Sequence, residues 1–472
     1  MKKESFKNLI LVLLVISSIS LTVNMWLKKK LWPEGYNFFS NITNLFNKDS
    51  NSNKYFLSKE NISYPTKIVI TNIEKRSIYT HTENEFDSVV ESIMPIIKNG
   101  MRQSAYSVSS VAEWETSLKG SSVFVSYPAE YEFNLFNTIL GVEPQKNAQI
   151  KTVKEFLIVP DYKSNNVAFF IKDTNNMSVY KTSFAISNNL ADVITNYSKS
   201  DVASLPFSFE LNFDKSENTS VKQRILIEPS VTIPLESSYA RIIYNDSLQS
   251  LVFDDIALKQ TILSHFGVNT SSAKRYRDTL GTVVYVDNYG TIKFYKNGTL
   301  QYKAFDDTKG IKLTDSENDT YSSFIAGVEF INGLITASSA NINYDINLSS
   351  YADNAKNNTI SLALDYYIDG NEIIYNAKDD KQNINHAITL QIKNGRLIEY
   401  TQMYSKMRIS DETVTCVNAI EALDVLLSDN AKESGTVNNL YIGYVKSDNS
   451  AEYLPRWIAK TSDGKTYIVG EK

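Results

Sequence analysis

Residues 281–302, GTVVYVDNYGTIKFYKNGTLQY, carry the clearest fold signal in this chain of 472 residues. Three short runs rich in Val, Ile, Tyr and Phe are separated by turn sequences, and such residues favour strands because they pack well on a pleated surface. The second turn, Asn297-Gly298, supplies residues that readily adopt the positive φ of a tight hairpin. The stretch therefore predicts a β-meander.

The same pattern of strands, tight turns and single helices recurs toward the C-terminus. Asp-Gly or Asn-Gly turns at 369–370, 394–395 and 463–464 separate further apolar runs. These runs predict strands at 359–368, 386–393, 396–403, 440–445, 454–461 and 465–469, with helices from 319 through 331 and at 418–427. Directly before the meander, residues 256–266 predict a helix that ends at Gly267.

The region before the meander combines helical and strand patterns in a different order. Apolar residues at helical spacing predict helices at 83–99, 108–118 and 188–197. Strands are predicted at 66–72, 122–126, 155–160, 166–172 and 178–183, and, after Pro206, at 207–213 and 224–227. This mixture of elements predicts an α+β fold built on antiparallel sheets.

The predicted organisation is an N-terminal transmembrane helix followed by three mixed helix and antiparallel-sheet domains. The expected boundaries are a cytoplasmic tail at 1–7, the transmembrane helix at 8–27, a stalk at 28–63, and α+β domains at 64–203, 204–315 and 316–472. The stalk is assigned from its richness in Asn, Ser and Lys.

The membrane helix is predicted from an uncharged apolar run between residues 8 and 27. Twenty helical residues span about 30 Å, the thickness of the hydrocarbon core of a bilayer. Trp26 and Trp32 lie where interfacial aromatic residues are expected, and three lysines at 28–30 end the run. A cleaved signal peptide is the alternative, but the run continues beyond the small residues Ser18 and Ser20, which favours an uncleaved anchor.

Composition argues against nucleic-acid binding and against cysteine chemistry. The chain has 48 Lys and Arg residues against 53 Asp and Glu residues, so it offers no broad basic field for a nucleic acid. The single cysteine, Cys416, cannot form an intramolecular disulfide, and its apolar surroundings predict a buried residue without chemistry. We predict no cofactor.

No residue is predicted to be catalytic, cofactor-binding or metal-binding. The histidines His81, His265 and His386 lie in unrelated segments without zinc-ligand spacing, and a structural role is expected for each. Nucleotide-binding and serine-hydrolase motifs are missing from the sequence. Two alternatives stay open: an extracytoplasmic ligand-binding module, suggested by the aromatic content, and a cell-wall hydrolase, because two carboxylates can meet across a cleft from distant positions.

Four passages together resemble the YycH family, and they extend along most of the chain. They are the start, with Lys2-Lys3-Glu4 and an apolar run ending in LTVNMW at 21–26; Phe253-Asp254-Asp255 followed by VYVD at 284–287 and GTLQY at 298–302; ITLQIKNGRLIEY at 388–400; and IGY at 442–444 with YLPRW at 453–457. Each passage is short, so the resemblance depends on their order. The segment from residue 64 to about residue 200 shows the least likeness.

This resemblance implies a regulatory protein without catalytic residues. Members of the YycH family are membrane-bound extracytoplasmic regulators of the WalK/WalR two-component system, which controls cell-wall metabolism in Firmicutes. The resemblance implies three soluble domains outside the cell membrane and a cytoplasmic N-terminus. It also implies two partners in the same membrane, a sensor histidine kinase of the WalK type and a single-pass regulator of the YycI type.

Within the predicted membrane helix, Ser17, Ser20 and Asn24 form a polar stripe. Their spacing of i, i+3 and i+7 places them on one side of a helix that is otherwise Leu, Ile and Val. Small and hydrogen-bonding residues let two membrane helices approach closely. We expect these three residues to contact a transmembrane helix of a partner, and mere tolerance of polar residues near the outer end is the alternative.

Overall fold

The computed structural model describes residues 64–469, with gaps at 81–82, 147, 175–177, 187–189, 212–226, 246–252, 254, 317–318, 339–343, 376–383, 406, 430–434 and 448–450. The predicted membrane helix and stalk lie outside these residues. Among the described residues, no helix has both the length and the apolar character needed to cross a membrane.

The described helices are α1 (Phe86–Arg102), α2 (Val111–Lys119), α3 (Phe133–Ile139), α4 (Leu190–Tyr197), α5 (Ile256–His265), α6 (Thr320–Ser338) and α7 (Ala419–Asp429). Short 3-10 helices lie at Val202–Ser204, Ser208–Glu210 and Ala355–Asn357.

The described strands form two sheets. Strands of the first sheet are β1 (Lys67–Asn72), β2 (Lys75–Tyr79), β3 (Ser107–Ser109), β4 (Ser122–Glu132), β5 (Thr152–Pro160), β6 (Asn166–Asp173), β7 (Ser178–Ala185) and β8 (Ser200–Asp201). Strands of the second sheet are β9 (Ser238–Asn245), β10 (Lys274–Arg277), β11 (Val283–Val286), β12 (Gly290–Phe294), β13 (Thr299–Ala304), β14 (Ile311–Lys312), β15 (Asp345–Asn354), β16 (Thr359–Ile368), β17 (Asn371–Ile374), β18 (Ile388–Lys393), β19 (Arg396–Met403), β20 (Met407–Cys416), β21 (Val437–Lys446), β22 (Glu452–Thr461) and β23 (Thr466–Val469).

The first sheet is antiparallel, with strand order β3-β7-β6-β5-β4-β1-β2-β8. Neighbouring residues on a strand point to opposite faces, and both faces of this sheet are covered. On one face Ile68 and Ile70 join the core that includes the apolar side of α1. On the other face Val69 packs in a separate cluster with Trp114 of α2. The alternation of the sequence thus builds a sheet sandwiched between helices.

The second sheet continues from the meander into the C-terminal strands. Its order is β10-β11-β12-β13-β19-β18-β16-β17-β21-β22-β9-β20, with β14 on β19, β15 on β16 and β23 on β22. Its described pairs are antiparallel except β17 with β21, which is parallel. Strands from before and after residue 315 are therefore interleaved in one sheet. The boundary at residue 315 stays a prediction.

The prediction of a mixed α+β fold with antiparallel sheets is confirmed. The prediction of a strand at 207–213 is wrong over its described part, because Ser208–Glu210 is a 3-10 helix. The carboxylate of Glu210 accepts a hydrogen bond from the backbone N–H of Phe207 and turns the chain there. Residues 224–226 lie outside the described residues, and Ile227 makes one isolated bridge, to Val437.

Two predicted boundaries also need correction. The second helix begins at Val111 and not at residue 108, because Ser110 caps it by accepting a hydrogen bond from the N–H of Glu113, and the preceding residues form β3. The strand predicted from His386 begins at Ile388. The strand begins after Ala387 because the backbone N–H of Ala387 donates to the carboxylate of Asp365 and not to a neighbouring strand.

A buried arginine fixes the segment after the first sheet to β2. Arg76 is 0% exposed and donates two hydrogen bonds to Glu210, at 2.7 and 3.2 Å, and one to the carbonyl of Leu205 at 2.7 Å. Its Nε donates to Thr71, and its guanidinium lies 4.1 Å from the ring centre of Phe207. We call this group the Arg76 clamp. Each of the three guanidinium nitrogens of Arg76 therefore donates at least one hydrogen bond.

Candidate functional site

The sequence-predicted site residues Ser17, Ser20 and Asn24 lie outside the described residues, as does His81. His265 and His386 are described, and they lie in different environments. His265 ends α5, is largely buried, and places its Nε2 3.0 Å from the carbonyl of Phe330. Burial lowers the pKa of His265, with the contact to Phe330 opposing it, so the ring is neutral and structural.

A connected set of largely buried charges lies around β16, β17 and β22. We call it the junction cluster, and it consists of Ser349, Asp365, Glu372, His386, Tyr441 and Lys460. It lies where the strands that continue from the meander meet the C-terminal strands through the parallel β17–β21 pair. The cluster therefore lies at the contact between two parts of the second sheet.

Asp365 is the most enclosed member of the junction cluster, with its side chain 2% exposed. It accepts hydrogen bonds from the backbone N–H of Ala387 at 2.9 Å and from the Ser349 hydroxyl, and the Nδ1 of His386 lies 2.9 Å away. Ser349 reaches it because the pairing of β15 with β16 shifts between Leu348 and Ser350, and such a bulge re-aims a side chain.

Glu372 is the second buried carboxylate of the cluster. The ammonium of Lys460 donates to both of its oxygens at 2.8 Å, and the Tyr441 hydroxyl donates to Oε2. The hydroxyl of Tyr367 lies 3.4 Å from the same oxygen. Glu372 thus joins β16, β17, β21 and β22, and its charge is compensated by a cation that is itself about one-third exposed.

The pKa shifts follow from burial and pairing. Burial alone would lower the pKa of His386, but the hydrogen bond and charge of Asp365 outweigh it and raise that pKa. Burial would raise the pKa of Asp365, and His386 reverses this and lowers it. For Glu372, burial raises the pKa, and the charge of Lys460 only partly opposes the rise. The Asp365–His386 pair is therefore held as an ion pair.

The arrangement of Ser349, Asp365 and His386 is unlike that of a serine hydrolase. A nucleophilic serine needs its hydroxyl hydrogen-bonded to the histidine, with the carboxylate on the other ring nitrogen. Here both the hydroxyl and the imidazole contact Asp365. The geometry orders three elements around one carboxylate and activates no hydroxyl.

Other side chains considered from the sequence have structural surroundings. Asp255 caps α5 by accepting a hydrogen bond from the N–H of Leu258. Asp254 lies outside the described residues, as does the acidic pair at 379–380. Cys416 is buried, and burial raises the pKa of its thiol. Within the described part of the chain, no group of three or more His, Cys, Asp and Glu side chains is placed to hold a metal.

Sequence reasoning missed the junction cluster, although one signal was present. Asp365 interrupts the otherwise uncharged strand TISLALDYYI at 359–368, and a carboxylate within a buried strand requires partners. Its partners His386, Ser349 and Ala387 come from 16 to 22 residues away. Only the folded chain identifies which side chains meet it.

Comparison with solved structures finds a likeness over nearly the whole described fold. The crystal structure of YycH from Bacillus subtilis aligns with 87% of this chain and 97% of its own, with a TM-score of 0.55 and 11% sequence identity. An uncharacterized protein from Eubacterium rectale aligns with 52% of this chain and 88% of its own, with a TM-score of 0.32 and 11% identity, too weak a likeness to support an argument.

Comparison of the sequence alone is less informative. No family model matches the chain. No curated protein matches it either. The likeness to the Bacillus subtilis structure is therefore a likeness of fold that persists at 11% identity, and this chain has a YycH-like fold.

Proposed function

We propose that this protein is a membrane-anchored, extracytoplasmic regulator of a WalK-type sensor histidine kinase that controls cell-wall metabolism. The observation that carries the proposal is the YycH-like fold, which extends over 87% of this chain and 97% of YycH. The four sequence passages that resemble the YycH family also support it, because they are a feature of the sequence and not of the fold. The partners are the kinase and a YycI-type single-pass regulator.

We further propose that the protein acts by contact and not by catalysis. In the junction cluster, the polar atoms of Asp365 and Glu372 are engaged by neighbouring side chains. A general acid or nucleophile needs an atom open to substrate and a matched partner. The cluster instead connects strands, which suits a protein whose output is a change of contact with another protein.

The proposed topology has a cytoplasmic N-terminus, one transmembrane helix at 8–27, a stalk at 28–63 and three extracytoplasmic domains. A cysteine placed at Ser50 tests the orientation, after Cys416 has been replaced by serine. A membrane-impermeant thiol reagent should label Ser50→Cys on intact cells. Labelling that requires cell lysis would reverse the proposed orientation.

The proposed membrane contact is the stripe of Ser17, Ser20 and Asn24. Interhelical hydrogen bonds of this kind contribute about 0.6 kcal/mol each and up to about 2 kcal/mol, so the three together can decide whether two helices associate. Replacing all three by leucine should leave the protein inserted and weaken its recovery with partners. A triple variant that co-purifies with partners and regulates as the parent does would disprove this contact.

The proposed function is tested by purifying the full-length protein from membranes and identifying the proteins that accompany it. Recovery of a sensor histidine kinase and a second single-pass regulator is expected. A matched control is the same chain with the uncharged residues of 8–27 in a scrambled order. This control keeps an apolar anchor but changes the positions of the three polar residues of the stripe. Recovery of neither protein with the parent chain would contradict the proposal.

A further inference from the structure

Strand β10, Lys274–Arg277, forms one end of the second sheet, and all four of its side chains are exposed. Its described partner is β11 on one side only. In an antiparallel pair, alternate residues direct their N–H and C=O groups away from the partner strand. The outer edge of β10 therefore presents backbone donors and acceptors over about 13 Å, since a strand rises about 3.3 Å per residue.

The charge of this edge is strongly positive. Lys274, Arg275 and Arg277 are three cations in four residues, and none has an ion pair among the described residues. Charged side chains on an edge strand commonly prevent pairing with another chain. Protection of the edge would account for these exposed residues, but it does not account for the neighbouring cation on α5.

That cation is Lys259 on α5, which is 8% exposed as a residue. Among the described residues its ammonium has no hydrogen-bond acceptor and no carboxylate within 4.0 Å, and it is not one of the buried polar atoms without a partner, so it reaches solvent. A lysine can bury its aliphatic stem while its ammonium stays in water. The ammonium of Lys259 is therefore accessible to an anion that approaches from solvent.

A groove beside β10 is shaped to bring an anion to Lys259. It has a volume of about 250 Å³ and lies between α5 and the strands β10 and β11, with a lining that includes Ile256, Lys259, Gln260, Thr270, Arg275 and Tyr285. Among the described residues, its lining includes no acidic side chain. Since a water molecule occupies about 30 Å³, the groove has room for a carboxylate side chain. Two cations, Lys259 and Arg275, line this groove. The Arg275 guanidinium lies 5.9 Å from the ring centre of Tyr285, which also lines it.

We propose that β10 and this groove form a docking site for an extended acidic segment of a partner protein. The segment adds as a strand to the open edge of β10 and places a Glu or Asp carboxylate in the groove between Lys259 and Arg275. Backbone hydrogen bonds give the affinity of strand addition, and side-chain pockets give its selectivity. A peptide fits better than a phosphate polymer because only a peptide matches the backbone groups of an edge strand.

The occupant comes from another protein because the chain's own N-terminal segment has the wrong charge. Residues 28–63 contain 6 lysines and 3 acidic residues. Such a segment is repelled by an edge that carries Lys274, Arg275 and Arg277. This inference goes beyond the proposed function, since it holds for any partner that has an acidic strand.

The test measures binding of a fluorescein-labelled six-residue peptide of alternating glutamate and valine to the full-length protein in lipid nanodiscs. The double variant Lys259→Gln/Arg275→Gln should weaken binding at least about tenfold. The matched double variant Lys163→Gln/Lys446→Gln removes the same charge from exposed positions elsewhere and should leave it unchanged. The single variant Arg275→Glu, which changes only an exposed side chain, should also weaken binding of the peptide. This variant keeps the test valid if the double variant does not fold.

Two further probes separate strand addition from simple charge attraction. The same peptide with glutamine in place of glutamate, or with alternate backbone nitrogens methylated, should bind at least about tenfold more weakly. Any one of three results would overturn the proposal. They are equal binding of the methylated peptide, an equal loss of binding in the two double variants, and displacement of the peptide by polyphosphate at equal charge concentration. No kinase is present in this experiment, so its failure would leave the proposed function untouched.

Discussion

Two buried cations of this protein, Arg76 and Lys259, have opposite surroundings. Arg76 is 0% exposed and is held by a carboxylate, a carbonyl, a hydroxyl and an aromatic ring. Lys259 is 8% exposed as a residue, lines a groove, and has no hydrogen-bond or ion-pair partner among the described residues. A cation whose hydrogen-bond donors are paired within the fold stabilises the fold, whereas a cation without such partners is able to bind an anionic group of another molecule. The two positions separate structural from functional charge in one chain.

The largest effect is expected at the Arg76 clamp. Arg76→Met leaves Glu210 with an uncompensated charge close to β2, and breaking a buried ion pair from one side costs about 3–5 kcal/mol. Urea unfolding followed by tryptophan fluorescence, to which Trp114 in the neighbouring core contributes, measures this loss. Lys75→Met, at the exposed adjacent position, is the control and should change stability little. A loss below about 1 kcal/mol at Arg76 would show that the clamp is not structural.

An intermediate and pH-dependent effect is expected at the junction cluster. The raised pKa of His386 means that its ion pair stabilises the fold fully below the ordinary histidine pKa of 6.5, and that this stability is lost as the pH rises through the folded pKa. The lowered pKa of Asp365 means that its contribution is present above the ordinary value of 3.8 and is lost as the pH falls through the folded pKa. The pair is therefore most effective between these two ordinary values.

His386→Asn keeps a neutral hydrogen-bond donor near Asp365 and removes the charge. We expect it to destabilise the protein by about 1–3 kcal/mol at pH 5.5, as for a hydrogen bond to a charged group, and by clearly less at pH 8.5. Thermal unfolding of parent and variant at both pH values provides the measurement. A difference that is equal at the two pH values, or larger at pH 8.5, would contradict an ionised pair.

The smallest effect on stability is expected at Lys259. Its sign should be opposite to that of the effect at Arg76. Lys259→Met removes an ammonium that has no partner among the described residues and keeps an apolar chain of similar length, so this change should leave stability unaltered or raise it by about 1 kcal/mol. The same substitution should weaken binding of the acidic peptide. If Lys259→Met destabilised the protein as strongly as Arg76→Met, Lys259 would be a structural residue and the contrast between the two cations would disappear.

The sequence pattern was most informative where neighbouring residues form an element by themselves. The turn at Asn394-Gly395 is an example, because the structure has positive φ at both residues and a hairpin between β18 and β19. The helix α5 likewise ends before Gly267, which has φ of +70°. Such features depend on local backbone preferences, which can be recognised from a few residues.

Pairings over long distances could not be predicted. β9 lies before the meander in sequence but pairs with β20 and β22 near the C-terminus, and no local pattern indicates those partners. The interleaving of strands across residue 315 was missed for the same reason. Nothing in the neighbouring sequence distinguishes Arg76 from Lys259 or Asp365 from the exposed carboxylates, and their roles differ because of the elements that the fold brings beside them.

The most direct test of the central claim is reconstitution of the full-length protein in lipid vesicles with the WalK-type sensor histidine kinase proposed as its partner. The quantity to measure is the rate of phosphate transfer from ATP to the response regulator, with and without this protein. We predict that the parent chain changes this rate and that the variant with leucine at 17, 20 and 24 changes it less. An unchanged rate with correctly inserted parent protein would contradict regulation of the kinase by contact.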